Sequence, residues 1–225
     1  MERPEADGTP ERLLVAAAEL FAASGFHGTT MRDIAGRARA NVAASHYHFG
    51  SKEDLYLRVL RSQFADIAQR LAEDAAVPSL DELRRMDRTA LAGILRARIA
   101  TMLELLVGPM PSLHGALMQR EMCDPTDALP VIVREFLAPQ LDDMRRLIEA
   151  LAPTLPPADV QRCLFSIGGQ VLFYRMMQPV VLRILGRDEY PRGFAQQTAD
   201  HIATFSLGGV DDLVGSQGAR RKRRA

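Results

Sequence analysis

The sequence predicts an all-α protein built from a small N-terminal three-helix head and a larger helical body. Three observations carry that expectation. Long Ala/Leu/Arg/Glu-rich runs repeat apolar residues at helical spacing, and no segment shows the alternating β-branched pattern of strands. Proline and glycine clusters cut these runs into helix-length pieces. Between Thr29 and Leu55 three capping residues, Thr30, Asn41 and Ser51, follow so closely that only short helices fit between them. With 225 residues, 47% of them hydrophobic, the chain can bury a sizeable core. The division expected is a head over 1–53, a body over 54–209 and a disordered basic tail over 210–225.

The elements follow in order. RLLVAAAELFAASGF places Leu13, Leu14, Ala17, Leu20 and Phe21 on one stripe and ends at Gly25. Thr30 caps a second helix through Met31–Arg37, with Met31, Ile34 and Ala35 to one side. Asn41 caps a third from Val42 to His48, and Ser51 with Asp54 makes a capping-box start for a fourth, over 52–75. That fourth helix belongs to the head at its beginning and to the body at its end. Ser79 and Glu82 open a helix through Val107, Ser112 opens one to Met122, and 127–151 is helical with a break near Ala138 because of Pro139. A helix from Pro157 to Leu185 is apolar on nearly all sides and stops at Gly186. Pro191 starts a last helix, to about 206, and Gly208-Gly209 is expected to end it.

Composition narrows the function classes. Two cysteines, Cys123 and Cys163, sit in apolar helical contexts without metal-ligand spacing, which suits reduced thiols in a cytoplasmic protein. The segment Met1–Pro10 is polar and acidic, unlike a signal peptide, and no apolar run is long enough to span a bilayer. His46 and His48 are two residues apart, which on a helix points their rings to different sides, so no metal site or cofactor is expected. Ser45 beside His46 lacks the third partner and oxyanion donors of a nucleophile, so no catalytic residues are assigned and no enzyme is expected.

The third helix is the informative element. Two turns long, opened by Asn and carrying Ser45, His46, Tyr47 and His48, it is too short for a core helix and suits the recognition helix of a helix-turn-helix. Net charge is zero, and residues 1–63 carry as many basic as acidic side chains. Affinity for DNA must then come from local placement of Arg32, Arg37, Arg39 and Lys52 and from helix N-termini near Thr30, Asn41 and Ser51. Val42 and Ala43 are small enough to lie against a thymine methyl. Tyr47 and His48 are expected to contact DNA, His46 to face the groove, Phe49 to be core and Lys52 to clamp a phosphate. Arg220–Arg224 (RRKRR) reads as a solvated end or a non-specific phosphate tether.

From Thr9 to about Leu60 the chain resembles the N-terminal domain of the TetR family of bacterial transcriptional regulators. Gly25, Thr29-Thr30, Ile34-Ala35, Tyr47-His48-Phe49 and Ser51-Lys52-Glu53 fall at that family's spacings. NVAASHYHFGSKEDLY is similar to the CecR-like subgroup, as are REMCDPTDAL (120–129) and GQVLFYR (169–175) in the second half. Arg39 stands where the family usually has Gly, and Ser45-His46 where relatives mostly carry an apolar residue and then Tyr or Asn. The resemblance implies a homodimeric repressor on a pseudo-palindromic operator, released by a small-molecule effector. A DNA-bound interaction protein without an inducer is the competing class.

In the body, polar residues on apolar faces are candidates for effector binding: His114, Gln119, Arg120, Glu121, Gln170, Tyr174 and Arg175. Arg beside a buried aromatic suits an anionic or planar ligand. The resemblance implies dimerisation through the last two helices, where Gly168, Val171, Leu172 and His201 are the expected interface residues.

Overall fold

Helix starts in this chain are marked either by side-chain caps or by a proline in the first turn. A computed structural model describes residues 8–107 and 113–222, with side chains through Ser216. All the regular elements among these residues are helical. The contacts divide the chain into two compact units, one of residues 1–67 with 112–136 and one of 68–111 with 137–225. The expected boundary at residue 53 is therefore not where contacts divide. The beginning of the fourth helix and the segment after 112 pack with the head, through partners no local pattern announces.

In the first unit, α1 (Thr9–Ser24) buries Leu13, Ala16, Ala17 and Phe21 and stops at Gly25, whose φ of 74° suits glycine. α2 (Met31–Arg37) opens with a full capping box: Asp33 N–H donates to Thr30 Oγ1 (3.2 Å) and Thr30 N–H to Asp33 Oδ2 (3.0 Å). α3 (Val42–Phe49) is capped by Asn41 Oδ1, which accepts from Ala43 N–H at 2.9 Å. α4 (Lys52–Asp74) starts on the Ser51–Asp54 pair, with Asp54 N–H donating to Ser51 Oγ at 3.0 Å. Through Ile67 it belongs to the first unit and beyond that to the second.

Thr30 and Ser51 hydroxyls and backbone amides hold the carboxyls of Asp33 and Asp54 below the usual carboxylate range. Their folded-state pKa values are lowered, so their contribution to stability is present above the unfolded value of about 3.9 and is lost as pH falls through the folded one. Asp33→Asn with Asp54→Asn should flatten the acid limb of melting temperature against pH below about pH 4. An unchanged acid limb would remove these caps from the account.

Between α2 and α3 the chain turns through Arg39, the one non-glycine residue at positive φ (50°) among those described. A side chain there costs on the order of 1 kcal/mol that glycine avoids. Arg39→Gly should stabilise the protein by about 1 kcal/mol and raise its melting temperature by roughly 2–4 °C. A fall in melting temperature would show that Arg39's side chain has a stabilising partner.

α7 (Leu113–Cys123), α8 (Leu129–Ile132) and a π-helical turn over Val133–Leu137 complete the first unit up to Phe136. In the second unit are α5 (Leu80–Leu83), α6 (Arg88–Val107), α9 (Ala138–Leu151), α10 (Pro157–Met176), α11 (Gln178–Leu185) and α12 (Phe194–Lys222). Its core joins Leu95, Ile99 and Leu103 of α6, Leu147 and Ile148 of α9, Ile167 and Val171 of α10, and Ile202 and Ala203 of α12.

Three element boundaries differ from the sequence expectation. The run from 79 to 107 is two helices, because Asp87 accepts from Ala90 N–H (2.8 Å) and starts α6 afresh. The run from 157 to 185 breaks at Met177, where Pro179 has no N–H to give the turn before it. The last helix does not stop at Gly208-Gly209. α12 continues to Lys222 because Val210 is buried and Leu213 and Val214 pack against the core at helical spacing. That burial offsets the roughly 1 kcal/mol each glycine costs in a helix. Arg88 adds an ion pair to Asp211. The tail expected to be disordered from 210 is thus helical through Lys222, and Arg223 and Arg224 of the basic run lie outside the described residues. The break expected near Ala138 corresponds to the π turn just before Pro139.

Candidate nucleic-acid interface

α3 has one inward and one outward side. Ser45 is fully buried, its hydroxyl donating to Val42 O at 2.6 Å, and Phe49 is buried behind it. Ala43, His46, Tyr47 and His48 face outward, and Tyr47 is 86% exposed. A tyrosine left so bare on a two-turn helix contributes almost nothing to folding. Its ring meets the edge of His48 at 5.2 Å. His46 Nδ1 lies 2.9 Å from Gly50 O, so that nitrogen carries the proton and donates. Val42 is half-buried at the start of the helix. The outward side of α3 is therefore aromatic and imidazole-rich, with small residues at its N-terminal end.

The flanks are less uniform than expected. Arg32 and Arg39 are exposed. Arg37 is not free, because its guanidinium pairs with Glu19 at 2.6 Å. The side chains of Thr30 and Asn41 are committed as caps to α2 and α3, and the Thr30 hydroxyl also donates to Asp33 Oδ2 at 2.6 Å. Lys52 departs furthest from its expected role as a phosphate clamp. Its Nζ donates to Phe26 O (3.1 Å) and Thr29 O (3.2 Å) and stands 4.1 Å from the Phe26 ring centroid. Two of its three N–H groups thus hold the connection between α1 and α2, a tertiary arrangement that sequence spacing could not foretell.

The effector candidates divide between the units. His114, Gln119, Arg120 and Glu121 belong to the first, and Gln170, Tyr174 and Arg175 to the second. Arg120 donates through Nε to Ala22 O (2.9 Å) and through Nη2 to Ala23 O, at the carbonyl end of α1. Glu121 is fully buried and accepts from Tyr56 Oη (2.7 Å), Thr126 Oγ1 (2.9 Å) and Thr126 N (3.2 Å). Burial, and then the neighbouring Glu121 carboxylate, push the Tyr56 phenol far above its ordinary pKa. Arg120 and Glu121 thus each have protein partners within the first unit. Both line a cleft of about 400 Å³ with Phe26, His27, Gln119 and Asp124.

In the second unit Gln170 donates to Ser166 O (3.2 Å) and Ser206 Oγ (3.3 Å). The Tyr174 ring meets Phe194 edge-on at 5.4 Å, and Arg175 Nη1 donates to Gln178 Oε1 at 3.0 Å. Burial lowers the pKa of Arg175, whose Nε has no hydrogen-bond partner among the described residues. Of the expected interface residues, Val171 is fully buried inside its own protomer and cannot face another. Gly168 and Leu172 are partly buried, and His201 is exposed and stacks on Phe205 at 6.3 Å.

Sequence reasoning missed Arg98, which is 1% exposed. Its Nη1 donates to Leu71 O (3.2 Å) and Ala75 O (3.0 Å) at the end of α4. Its Nη2 reaches Asp143 Oδ2 (2.9 Å) and Gln140. Burial lowers its pKa and Asp143 partly restores it. The available signal was an arginine on the stripe Leu91, Leu95, Ile99 of an apolar helix, a position that demands buried partners.

A capped three-helix head with a bare two-turn third helix, joined to an all-helical body, defines a helix-turn-helix transcription regulator. Residues 13–59 match the model of the tetR family of bacterial regulatory proteins, and residues 91–210 match the C-terminal domain of the transcriptional dual regulator CecR. The chain belongs to the TetR family, in its CecR-like branch, and is a DNA-binding transcriptional regulator. It is 29% identical over 181 residues to CecR of Shigella flexneri, covering 76% of this chain and 78% of that one. It is 27% identical over 205 residues to the regulator RutR of Escherichia coli K12, covering 88% of each. Among solved structures, AibR in complex with isovaleryl coenzyme A and operator DNA has the same fold, with TM-score 0.62 at 17% identity over 88% of this chain and 97% of that one. So does a TetR regulator from Agrobacterium tumefaciens, with TM-score 0.62 at 20% identity over 92% and 98%.

Proposed function

We propose that the protein is a homodimeric, effector-released repressor whose α3 helices read the two half-sites of a pseudo-palindromic operator. The observation that carries this reading is the outward side of α3, where Tyr47, His46 and His48 are exposed and the Tyr47 ring in particular is left almost bare. A helix of this length docks by its N-terminal turns in the major groove, and a two-fold dimer presents two of them about 34–36 Å apart or a multiple of that. Arg32 and Arg39, exposed beside α3, take phosphates, and the N-termini of α2 and α3 add backbone donors. Lys52 serves as a brace for the α1–α2 connection.

Release by an effector requires that the effector bind the DNA-free form more tightly than the DNA-bound one. Neighbouring structures include AibR with isovaleryl coenzyme A and operator DNA, and FadR of Bacillus subtilis with stearoyl-CoA, which supports a small-molecule effector for this chain. The test is selection of bound duplexes from a random pool, followed by a screen of small molecules for release. An inverted repeat and at least one releasing compound are expected. Selected duplexes without dyad symmetry would overturn the dimeric reading. An operator that no compound releases would favour an interaction protein without an inducer.

A further inference from the structure

We propose that Arg120 and Glu121, consecutive residues on α7, are positioning residues for DNA recognition, clamping the end of α1 and the first turns of α4 so that α3 is held at a set angle. This rests on the operator-binding reading above. Both lie within the stretch that matches the CecR C-terminal domain, where an effector role is the natural expectation. Their contacts run instead to the DNA-binding head.

The physical case begins at α1, whose last carbonyls have no intrahelical donors and whose last turn carries no basic residue of its own. The Arg120 guanidinium supplies both, as two hydrogen bonds and as a cation at the negative end of the helix dipole. Gly25 makes room for it, since a Cβ at that position would come within 3.3 Å of Arg120 Nη1. The next residue, Glu121, points the other way and takes the Tyr56 phenol in a buried hydrogen bond. Thr126 adds two further donors, so three hydrogen bonds spread over both oxygens give the carboxylate one preferred orientation. Downstream, Glu135 receives Arg61 of α4 through two 2.9 Å bonds, and the Phe136 ring meets that of Phe64 at a tilt, 5.4 Å between centroids. α3 packs on α1 and α2, so fixing α1 against α4 fixes the direction in which α3 points.

A clamp of this kind makes a distinctive prediction, because it governs the angle at which each α3 is presented and not the chemistry of its outward side. Arg120→Ala, and separately Tyr56→Phe, should be compared with the wild type on the selected operator, on random duplex, and on an operator lengthened by one base pair at its centre. Tyr56→Phe keeps the ring and loses only the hydroxyl, so it tests the clamp even if Arg120→Ala folds poorly. Each variant should lose about tenfold in the operator-over-random affinity ratio while its random-duplex affinity stays within about twofold of wild type. The penalty for the extra base pair should shrink from tenfold or more to about threefold. Amide exchange across Phe21–Gly25 should speed up in Arg120→Ala. Unchanged affinity ratios and an unchanged spacing penalty, in variants whose amide exchange shows α1 released, would overturn the clamp. A wild-type protein that selects no operator would overturn the underlying reading instead, so the two failures are distinguishable.

Discussion

Tyr47→Ala is expected to weaken operator binding by roughly thirtyfold or more while helix content and melting temperature stay at wild-type values. The two halves of that expectation have one cause. Tyr47 is 86% exposed, so truncating it removes no core packing and leaves no cavity. In the proposed dock the same ring meets base edges, and a good base contact carries about 1–3 kcal/mol of discrimination. A two-fold dimer loses it twice, so operator affinity should fall by about 2–6 kcal/mol, roughly thirtyfold to ten-thousandfold. Random-duplex affinity, set by phosphate contacts, should hardly move. Titration of labelled operator and random duplexes reads both. Operator affinity within threefold of wild type would show that α3 does not read the groove.

The second large effect is expected at the outer sides of α10 and α12. Phe165 (58% exposed) and Phe205 (68%) stand out from these helices, with Phe173 and Met176 also exposed. Exposed large apolar side chains on two helices that pack together are what an interface between copies would cover. Phe205→Glu would bury a carboxylate without a partner in each subunit, at a cost of several kcal/mol per charge. Sedimentation at micromolar concentration should then show folded monomers with little affinity for the operator. Val171→Glu should behave differently, because Val171 is fully buried in its own protomer, and the variant should unfold rather than dissociate. A Phe205→Glu protein that remains dimeric would move the interface away from these helices.

The head was legible because its signals are local. Thr30, Asn41 and Ser51 act on amides two or three residues away, so their spacing alone fixes where α2, α3 and α4 begin. Arg39 was legible for the opposite reason, as the residue out of place in a turn that favours glycine. What sequence could not show depends on partners far along the chain. Lys52 looked free for phosphate until the fold brought it to Phe26 O and Thr29 O. Val171 looked like an interface residue because α10 is apolar all round, and periodicity cannot say which apolar side meets its own core. Asp87 and Pro179 were readable punctuation that the long apolar runs around them outweighed. Gly208-Gly209 misled because two glycines read as a stop only where nothing beyond them can be buried.

Arg98 bears on how the second unit can respond to its surroundings. A guanidinium stays protonated at any pH a cell meets, so its hold on the last carbonyls of α4 cannot be loosened by acid or base acting on the arginine. Nor is salt an effective lever, since screening acts weakly on a group 1% exposed. What remains is displacement. If α6 and α9 shift by an ångström or so, the bonds from Arg98 to Leu71 and Ala75 lengthen past usefulness while those to Gln140 and Asp143 must rearrange. The end of α4 therefore answers to shape rather than to ionic conditions, as a latch does that gives way to a key and not to rain.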